Sequence, residues 1–388
     1  MLRPRTRLAA GTLAVLLPLA AVAGCGVQKQ RTIKAEFTSA GTYLQDSKAA
    51  SFTLRLDDSQ HKLAALLQKD ADTPAELADA FAGGSITYVV DPVSDKVLRD
   101  VSATPTGKDV GAQLKTVNLA FVIKDSTATL GELRVVDGVL YLHVDLAEIG
   151  RLAKAGGVED FDASLDSAVT DGPPEFASIV KEVRAGKWVK LDLAKYLTKL
   201  TDLADTFAQG FTGASPAPKP SASAFDAKGL GQRLFDGVKP YVKVTDANDN
   251  SSDRVLDVTV DARPALKAAL KILAATDDLP FPNVFSDIDP TQVDDNIGPG
   301  LAKGQIRLAD GHLKQISIDA ESIRKLAIDP GTDSVAGLSV VFDVDDSADA
   351  VQAPSVVSSV DLGELVDQFL DGINPSGSTS TLGSSYSG

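Results

Sequence analysis

Residues 132–140 read ELRVVDGVL, and residues 305–313 repeat this pattern without a gap as QIRLADGHL. In both stretches apolar and polar residues largely alternate around a central Asp-Gly pair. Asp137-Gly138 and Asp310-Gly311 suit two-residue hairpin loops, because Asp and Gly tolerate the positive φ angles of a type I′ turn. The sequence therefore predicts two β-hairpins that are far apart along the chain.

The similarity extends beyond the hairpins. Three further pairs of segments match: 144–152 with 318–326, 54–57 with 258–261, and 63–66 with 267–270. We interpret the chain as two pseudo-repeats of strand, capped helix, hairpin, strand and capped helix, over about residues 32–212 and 225–373. Convergent patterning without duplication would give the same order of elements.

Alternation of apolar and polar residues predicts further strands. In residues 51–57, for example, Phe52, Leu54 and Leu56 would share one face. The same pattern occurs at 117–123, 139–144, 254–260, 305–308, 313–318 and 338–342. Strands that are half buried in this way are typical of antiparallel sheets.

Aspartates follow several strands at points where a helix is predicted to begin. An aspartate at this position accepts hydrogen bonds from the free N–H groups of the first turn and faces the positive end of the helix dipole. The sequence predicts capping boxes at Asp145 with Glu148, at Asp361 with Glu364, and at 73–76 with Pro74 at the first helical position. We interpret these acids as structural caps. The predicted caps are Asp145, Asp192, Asp261, Asp319 and Asp361.

Helical spacing of apolar residues predicts amphipathic helices. A first helical face carries Ile33, Phe37 and Leu44, and two more occur at 193–207 and 362–370. The last two would cover a sheet or line a cavity. Between the pseudo-repeats, residues 213–224 (GASPAPKPSASA) are too rich in proline and small residues to build a core, which predicts a flexible linker. Residues 374–388 predict a disordered tail.

The composition excludes several classes of function. The net charge of −15 and the pI near 4.7 leave no basic patch to bind the phosphates of a nucleic acid. The single cysteine forms no intramolecular disulfide and no multi-cysteine zinc site. Three histidines, His61, His143 and His312, are spread along the chain. The sequence therefore predicts neither a metal site nor a cofactor.

The N-terminus predicts export and lipid anchoring. Residues 1–24 begin with Arg3, Arg5 and Arg7, continue with an apolar run over 8–21, and so have the parts of a signal peptide. The following VAGC at 22–25 resembles the lipobox of bacterial lipoproteins. That resemblance implies cleavage before Cys25, a diacylglyceryl group on its thiol, and a tether over 25–31. Two acyl chains hold a protein stably at the extracytoplasmic face of the cell membrane. The alternative is an ordinary secretory signal.

Several segments, in this order behind the lipobox, resemble actinobacterial envelope lipoproteins of the LppX and LprG type. More distantly, they resemble the LolA and LolB lipoprotein carriers. The segments are 50–56, 137–143, 186–191, 255–261, 340–354 and 359–362. The resemblance covers about residues 32–370.

The resemblance implies an α+β fold, in which a curved antiparallel β-sheet half-barrel carries helices on its concave face. An apolar cavity between sheet and helices would take acyl chains such as palmitate, and both pseudo-repeats would contribute to one domain over 32–373. The length of the chain and the 213–224 insertion keep two separate lobes as the alternative. The resemblance implies no catalytic residue and assigns no cavity residue.

Catalytic motifs are incomplete in this sequence. The pairs Ser178/Lys181 and Ser322/Lys325 have Ser-x-x-Lys spacing, but the partner motifs of penicillin-binding enzymes are absent. The acidic stretches 246–253 and 286–295 resemble calcium loops only in part, so we interpret them as solvated turns. His143 is predicted to lie on the opposite face from Leu142, and Trp188 is predicted in the core.

We therefore expect a non-enzymatic lipoprotein that binds or carries a lipid or glycolipid in an apolar cavity. The alternative is an interaction or sensory lipoprotein with a filled core that binds an envelope protein through its acidic surface. An apolar cavity of several hundred Å³ would favour the carrier, and a packed interior would favour the alternative.

Overall fold

The structure is a computed structural model of the chain. It describes residues 28–58, 61–70, 73–101, 115–171, 174–191, 227–247, 252–276, 291, 293–328 and 334–359. Several of the predicted features lie outside these residues. They are the signal peptide 1–24, Cys25, the helices at 193–207 and 362–370, the linker 213–224, the tail 374–388, and the caps Asp192 and Asp361.

One twelve-stranded sheet organises the described residues, in the order β12-β6-β5-β4-β3-β2-β1-β11-β10-β9-β8-β7. Every neighbouring pair is antiparallel except β12 with β6, and the sheet does not close on itself. An α+β fold around a mostly antiparallel sheet is therefore confirmed. The strands are β1 Ala50–Asp57, β2 Ser85–Pro92, β3 Val117–Lys124, β4 Thr129–Val136, β5 Val139–Val144, β6 Trp188–Leu191, β7 Val242–Asp246, β8 Asp253–Asp261, β9 Leu301–Ala309, β10 His312–Asp319, β11 Ser339–Asp345 and β12 Val357–Ser359.

Strands from the two halves of the chain meet in the middle of this sheet. Strand β1 pairs on one side with β2 and on the other with β11, so Leu54 lies opposite both Ile86 and Phe342. Strands from both sides of residues 213–224 thus belong to one hydrogen-bonded layer.

The helices connect these strands. They are α1 Gln28–Asp46, α2 Lys62–Asp70, α3 Ala75–Ala82, α4 Leu146–Ala155, α5 Phe161–Asp171, α6 Pro174–Arg184, α7 Ala227–Val238, α8 Ala262–Ala274, α9 Val293–Asn296 and α10 Ala320–Arg324. Helix α1 contains the predicted face of Ile33, Phe37 and Leu44. It begins at Gln28, so the last part of the tether predicted over 25–31 is helical.

Both predicted hairpin loops are confirmed. Asp137 and Gly138 have φ angles of 53° and 79°, and Asp310 and Gly311 have φ angles of 50° and 80°. The positive φ angles at both loop positions are those that a type I′ turn requires.

The predicted caps have mixed outcomes. The Asp145 carboxylate accepts from the backbone N–H of Glu148, and Asp319 accepts from the first turn of α10, so both caps are as predicted. The box predicted at Asp145 with Glu148 is only half formed, because the backbone N–H of Asp145 donates to the carbonyl of Leu130. Asp261 stands at the N-cap of α8 but makes no capping hydrogen bond. The box predicted at 73–76 is wrong, because α3 begins one residue later and places Pro74, which has no side-chain acceptor, at the N-cap.

Apolar side chains collect on one face of the sheet, which we call the helix-covered face. Over β7–β11 it packs against α1, α7 and α8, where Leu256 and Ile306 are almost completely buried. Over β5 and β6 it packs against α4 and α6, around Val189. Direct cross-strand pairing through the intervening strands places these two cores on the same face.

The opposite face is largely polar. Arg55 contacts Asp343 at 2.6 Å, and the hydroxyls of Thr53 and Thr87 lie 2.9 Å apart. His143 lies on this face and its neighbour Leu142 on the helix-covered face, as predicted. Trp188 lies there too, with its ring 5.2 Å from the His143 ring, so its predicted position in the core is wrong. The cause is strand alternation, because Val189 takes the position in the core.

Arg254 connects α1 to the sheet. Its side chain is only 10% exposed, donates to both oxygens of Asp246 at 2.8 Å, and also donates to Glu36 of α1. Arg254 precedes Leu256 by two positions in β8, so both side chains lie on the helix-covered face. The ion pairs therefore neutralise a guanidinium that the packing of α1 encloses.

We expect the Arg254→Met substitution to lower the free energy of unfolding by about 3 kcal/mol, because it leaves two partly buried carboxylates without their cation. Urea unfolding measures this loss. The matched control is Arg307→Met, which breaks a similar bidentate pair with Asp253 on the exposed side of the sheet. That change should cost less than about 1 kcal/mol. Equal losses of stability in the two variants would contradict the greater importance of the enclosed Arg254 ion pairs.

Glu321 of α10 binds the segment that leads into β11. Its carboxylate accepts from Arg324 at 2.7 Å and from the backbone N–H of Val335 at 2.9 Å. Arg324 and this N–H lower the pKa of Glu321 from 4.5 to about 2, although burial opposes ionisation. Ionised Glu321 therefore stabilises the folded state above pH 4.5, and this contribution is lost as the pH falls towards 2.

We expect Glu321→Gln to be less stable than the unmodified chain at neutral pH, with the difference shrinking as the pH falls from 4.5 towards 2. Urea unfolding at a series of pH values measures the difference. Glu159→Gln, at an exposed glutamate, is the control and should show no such convergence. A difference that stays constant with pH would refute the role of the Glu321 charge.

Candidate functional site

A cavity of about 340 Å³ opens on the helix-covered face above β1–β3. Helices α3 and α4 form its outer wall through Leu77, Phe81 and Leu152, and the sheet forms its floor. Its volume lies within the range of small-molecule sites. The lining is almost wholly apolar, and its main sheet residues are Leu54, Leu56, Ile86, Ile123, Leu130 and Val340.

A tight turn positions α3 over the sheet. Gly83 ends the helix and Gly84 leads into β2. A Cβ atom at Gly83 would lie 2.4 Å from the Cβ of Ser126, in the turn between β3 and β4. This close approach explains the need for glycine and holds the end of α3 near the cavity.

Five large apolar side chains next to this cavity remain exposed, and we call them the apolar strip. Leu54, Ile86 and Ile123 are direct cross-strand neighbours, and Tyr88 and Phe121 form the next row. Each is 38–40% exposed, whereas Leu256 and Ile306, on the same face under α1, α7 and α8, are at most 1% exposed. The described helices therefore cover the apolar face only in part at the strip.

Two carboxyl groups meet at the wall of the cavity. Asp125 has a side chain only 2% exposed, and its Oδ1 accepts from the N–H groups of Thr127 and Ala128, both at 2.6 Å. Its Oδ2 is buried and has no hydrogen-bond donor among the described residues when Glu148 is ionised. Burial raises the pKa of Glu148, and the neighbouring Asp125 carboxylate raises it further. Asp125 has a lowered pKa, because these N–H groups and Glu148 outweigh the effect of burial.

Arg151 links the elements around this carboxyl pair. It donates from Nε to Glu148 at 2.9 Å, lies 3.6 Å from Asp125 Oδ2, and contacts Glu76 of α3. One guanidinium therefore joins α3, α4 and the turn after β3. These ion pairs hold both helical walls of the cavity against the sheet.

Ser322 and the acidic stretch 246–253, which the sequence offered as candidates for chemistry, do not line this cavity. Ser322 accepts from the N–H of Lys303 at 2.9 Å and donates to the carbonyl of Asp319, which is a structural role. Of the first acidic stretch, Asp246 pairs with Arg254 and Asp253 with Arg307. Cys25 lies outside the described residues.

Sequence reasoning missed most of the site. Strand β2, which carries Ile86 and Tyr88, was not among the predicted strands. Its sequence over 85–90, SITYVV, contains the alternation that could have revealed it. The proximity of Asp125 to Glu148 had no signal in the sequence, because a hairpin separates these residues.

Within the described ranges, no group of three or more His, Cys, Asp and Glu side chains is arranged to hold a metal ion. None of the described helices combines the length and apolar character needed to cross a membrane. Comparisons with protein-family models, with curated proteins and with solved structures find no match to this chain. The resemblance to envelope lipoproteins stays a prediction.

The carboxyl pair predicts a pH dependence. Because the pKa of Glu148 is raised in the folded state, its contribution to stability is full below pH 4.5 and is lost as the pH rises through its folded pKa. Glu148→Gln keeps a hydrogen-bond donor beside Asp125 at every pH. We expect the variant to gain stability relative to the unmodified chain as the pH rises from 4.5 to neutral.

Urea unfolding across this pH range measures the effect, with Glu159→Gln again as the control. A difference in stability between the Glu148→Gln variant and the unmodified chain that does not change with pH would contradict the raised pKa of Glu148.

Proposed function

We propose that this protein is a lipid-anchored extracytoplasmic lipoprotein that binds or carries a hydrophobic ligand. The ligand would be a lipid or glycolipid with an acyl chain in the cavity and across the apolar strip. Binding requires no catalysis by the protein. The observation that carries this proposal is the continuity of the apolar cavity with the strip through Leu54, Ile86 and Ile123.

The energetics support an apolar ligand. Burial of apolar surface contributes roughly 25 cal/mol per Å², so covering several large side chains supplies several kcal/mol. Contiguous exposed apolar surface is uncommon on proteins that bind nothing there. The cavity also offers few polar groups, which suits a hydrocarbon chain better than a sugar or a nucleotide.

The membrane anchor would lie near the start of α1. Cys25 precedes Gln28, the first residue of that helix, by three residues, which span at most about 10 Å. Arg254 and Glu36 tie α1 to the sheet at β8, several strands from the cavity above β1–β3. An acylated Cys25 would therefore hold the protein at the membrane without occupying the cavity.

We expect Ile123→Asn to weaken the binding of a fluorescent fatty-acid probe about tenfold, because it places an amide in the floor of the cavity and ~1.4 kcal/mol corresponds to that factor. The matched control is Ile328→Asn, which changes another exposed isoleucine away from the cavity and should leave binding unchanged.

Native mass spectrometry of the full chain extracted from membranes provides a second test. It should detect a co-purified lipid, and denaturation should release that lipid while leaving the diacylglyceryl group on Cys25. Protein that carries no lipid and binds no probe would overturn the proposal of a carrier.

A further inference from the structure

Four charged side chains from three elements converge beside the cavity. The Arg151 guanidinium of α4 contacts Glu76 of α3, donates to Glu148 at 2.9 Å, and lies 3.6 Å from Asp125 in the turn after β3. Asp125 itself belongs to the lining of the cavity. Three carboxyl groups thus share one guanidinium, which cannot neutralise all of them when all are ionised.

The Asp125 carboxylate is the least accessible member of this cluster. Its side chain is 2% exposed, its Oδ1 accepts from the N–H groups of Thr127 and Ala128, and its Oδ2 is buried without a donor among the described residues. A buried polar atom of this kind needs a hydrogen-bond partner. The carboxyl group of Glu148 lies within hydrogen-bond reach. Neutral Glu148 can donate its proton to Oδ2, whereas ionised Glu148 can only accept.

The same two helices carry the outer wall of the cavity. Leu152, which lines the cavity, follows Glu148 by four positions on α4, so both lie on one face of that helix. In α3, Glu76 directly precedes Leu77, another lining residue. A Cβ atom at Gly156, which ends α4, would lie 3.4 Å from the Cδ2 of Leu77, so the two helices are in close contact. The distance of Glu148 from the turn after β3 therefore sets the position of the whole wall.

We propose that the proton on Glu148 controls access to the cavity. The neutral carboxyl group donates to Asp125 and holds α4, together with α3, against the turn after β3. Loss of the proton to solvent breaks this hydrogen bond, places two anions side by side, and loosens the wall. This inference rests on the proposed function, because it governs how fast an apolar ligand leaves the cavity. The ligand is released faster as the pH rises.

The charges around Glu148 support this direction. Burial raises the pKa of Glu148, and the carboxylates of Asp125 and of Asp145 at the N-cap of α4 raise it further. Contact with Arg151 acts in the opposite direction, but Arg151 also contacts Glu76. Charged groups on the neighbouring elements β4, α5 and α6 form ion pairs of their own. These pairs include Glu132 with Arg134, and Asp166 with Arg184.

The test measures how fast Nile red leaves the full chain. Nile red is apolar and uncharged, so the pH does not change its own charge. The loaded protein is mixed with an excess of phosphatidylcholine vesicles, and the loss of protein-bound fluorescence is followed by stopped flow. We expect release from the unmodified chain to become about tenfold faster as the pH rises from 4.5 to neutral, since a hydrogen bond to a charged group is worth at least that factor.

Two variants isolate the carboxyl pair. Glu148→Gln keeps a donor beside Asp125 at every pH, so its release should stay slow and should not change with pH. Asp125→Asn removes the neighbouring anion and offers an N–H group to ionised Glu148, so the midpoint of the pH dependence should move to lower pH. Glu159→Gln, at an exposed glutamate, is the matched control and should behave as the unmodified chain does.

The outcomes separate this inference from the proposed function. A release rate that is the same at every pH, or that rises equally in Glu148→Gln, would overturn the role of Glu148 and leave the proposed function standing. Failure of Nile red to bind at any pH would overturn the proposed function as well. Urea unfolding checks that the variants are folded, and the comparison with Glu148→Gln decides alone if Asp125→Asn does not fold.

Discussion

The antiparallel pairing of β1 with β11 is the constraint on which the rest of the structure depends. These strands lie far apart in the chain, and their register places Leu54 opposite Phe342. A shift of one residue would turn every apolar side chain of β1 to the polar face. The 2.6 Å contact between Arg55 and Asp343 favours the observed register from the other side of the sheet. Through this pairing, one apolar face continues across strands from both halves of the chain.

Uneven cover of that face produces the candidate site. Helices pack closely over β7–β11 and over β5–β6, where the apolar side chains form two cores. Above β1–β3 the described helices α3 and α4 stand at the edge and leave a cavity. Arg151 joins both helices to the turn after β3 and so maintains this opening. The same hydrophobic patterning therefore stabilises the fold in one region and leaves exposed apolar side chains beside a cavity in another.

Much of the fold was predictable because it depends on local patterns. The Asp-Gly loops need positive φ angles that few other residues accept, and the strands around them alternate cleanly. Strand β2 was not predicted, although residues 85–88 alternate; only the end of the segment departs from the pattern, where Val89 packs near Val351 on the opposite face. The predicted box at 73–76 failed because the helix start shifted by a single residue to Ala75.

The sequence by itself determined the hairpins, most of the strands, the Asp145 and Asp319 caps and the acidic charge, since each follows from neighbouring residues. Only the tertiary structure decided which apolar side chains stay uncovered. Ile86 and Ile306 look alike as members of alternating segments, yet one lines a cavity and the other lies in a core. Their difference depends on which helices pack above them, and those contacts join residues that are distant in the chain.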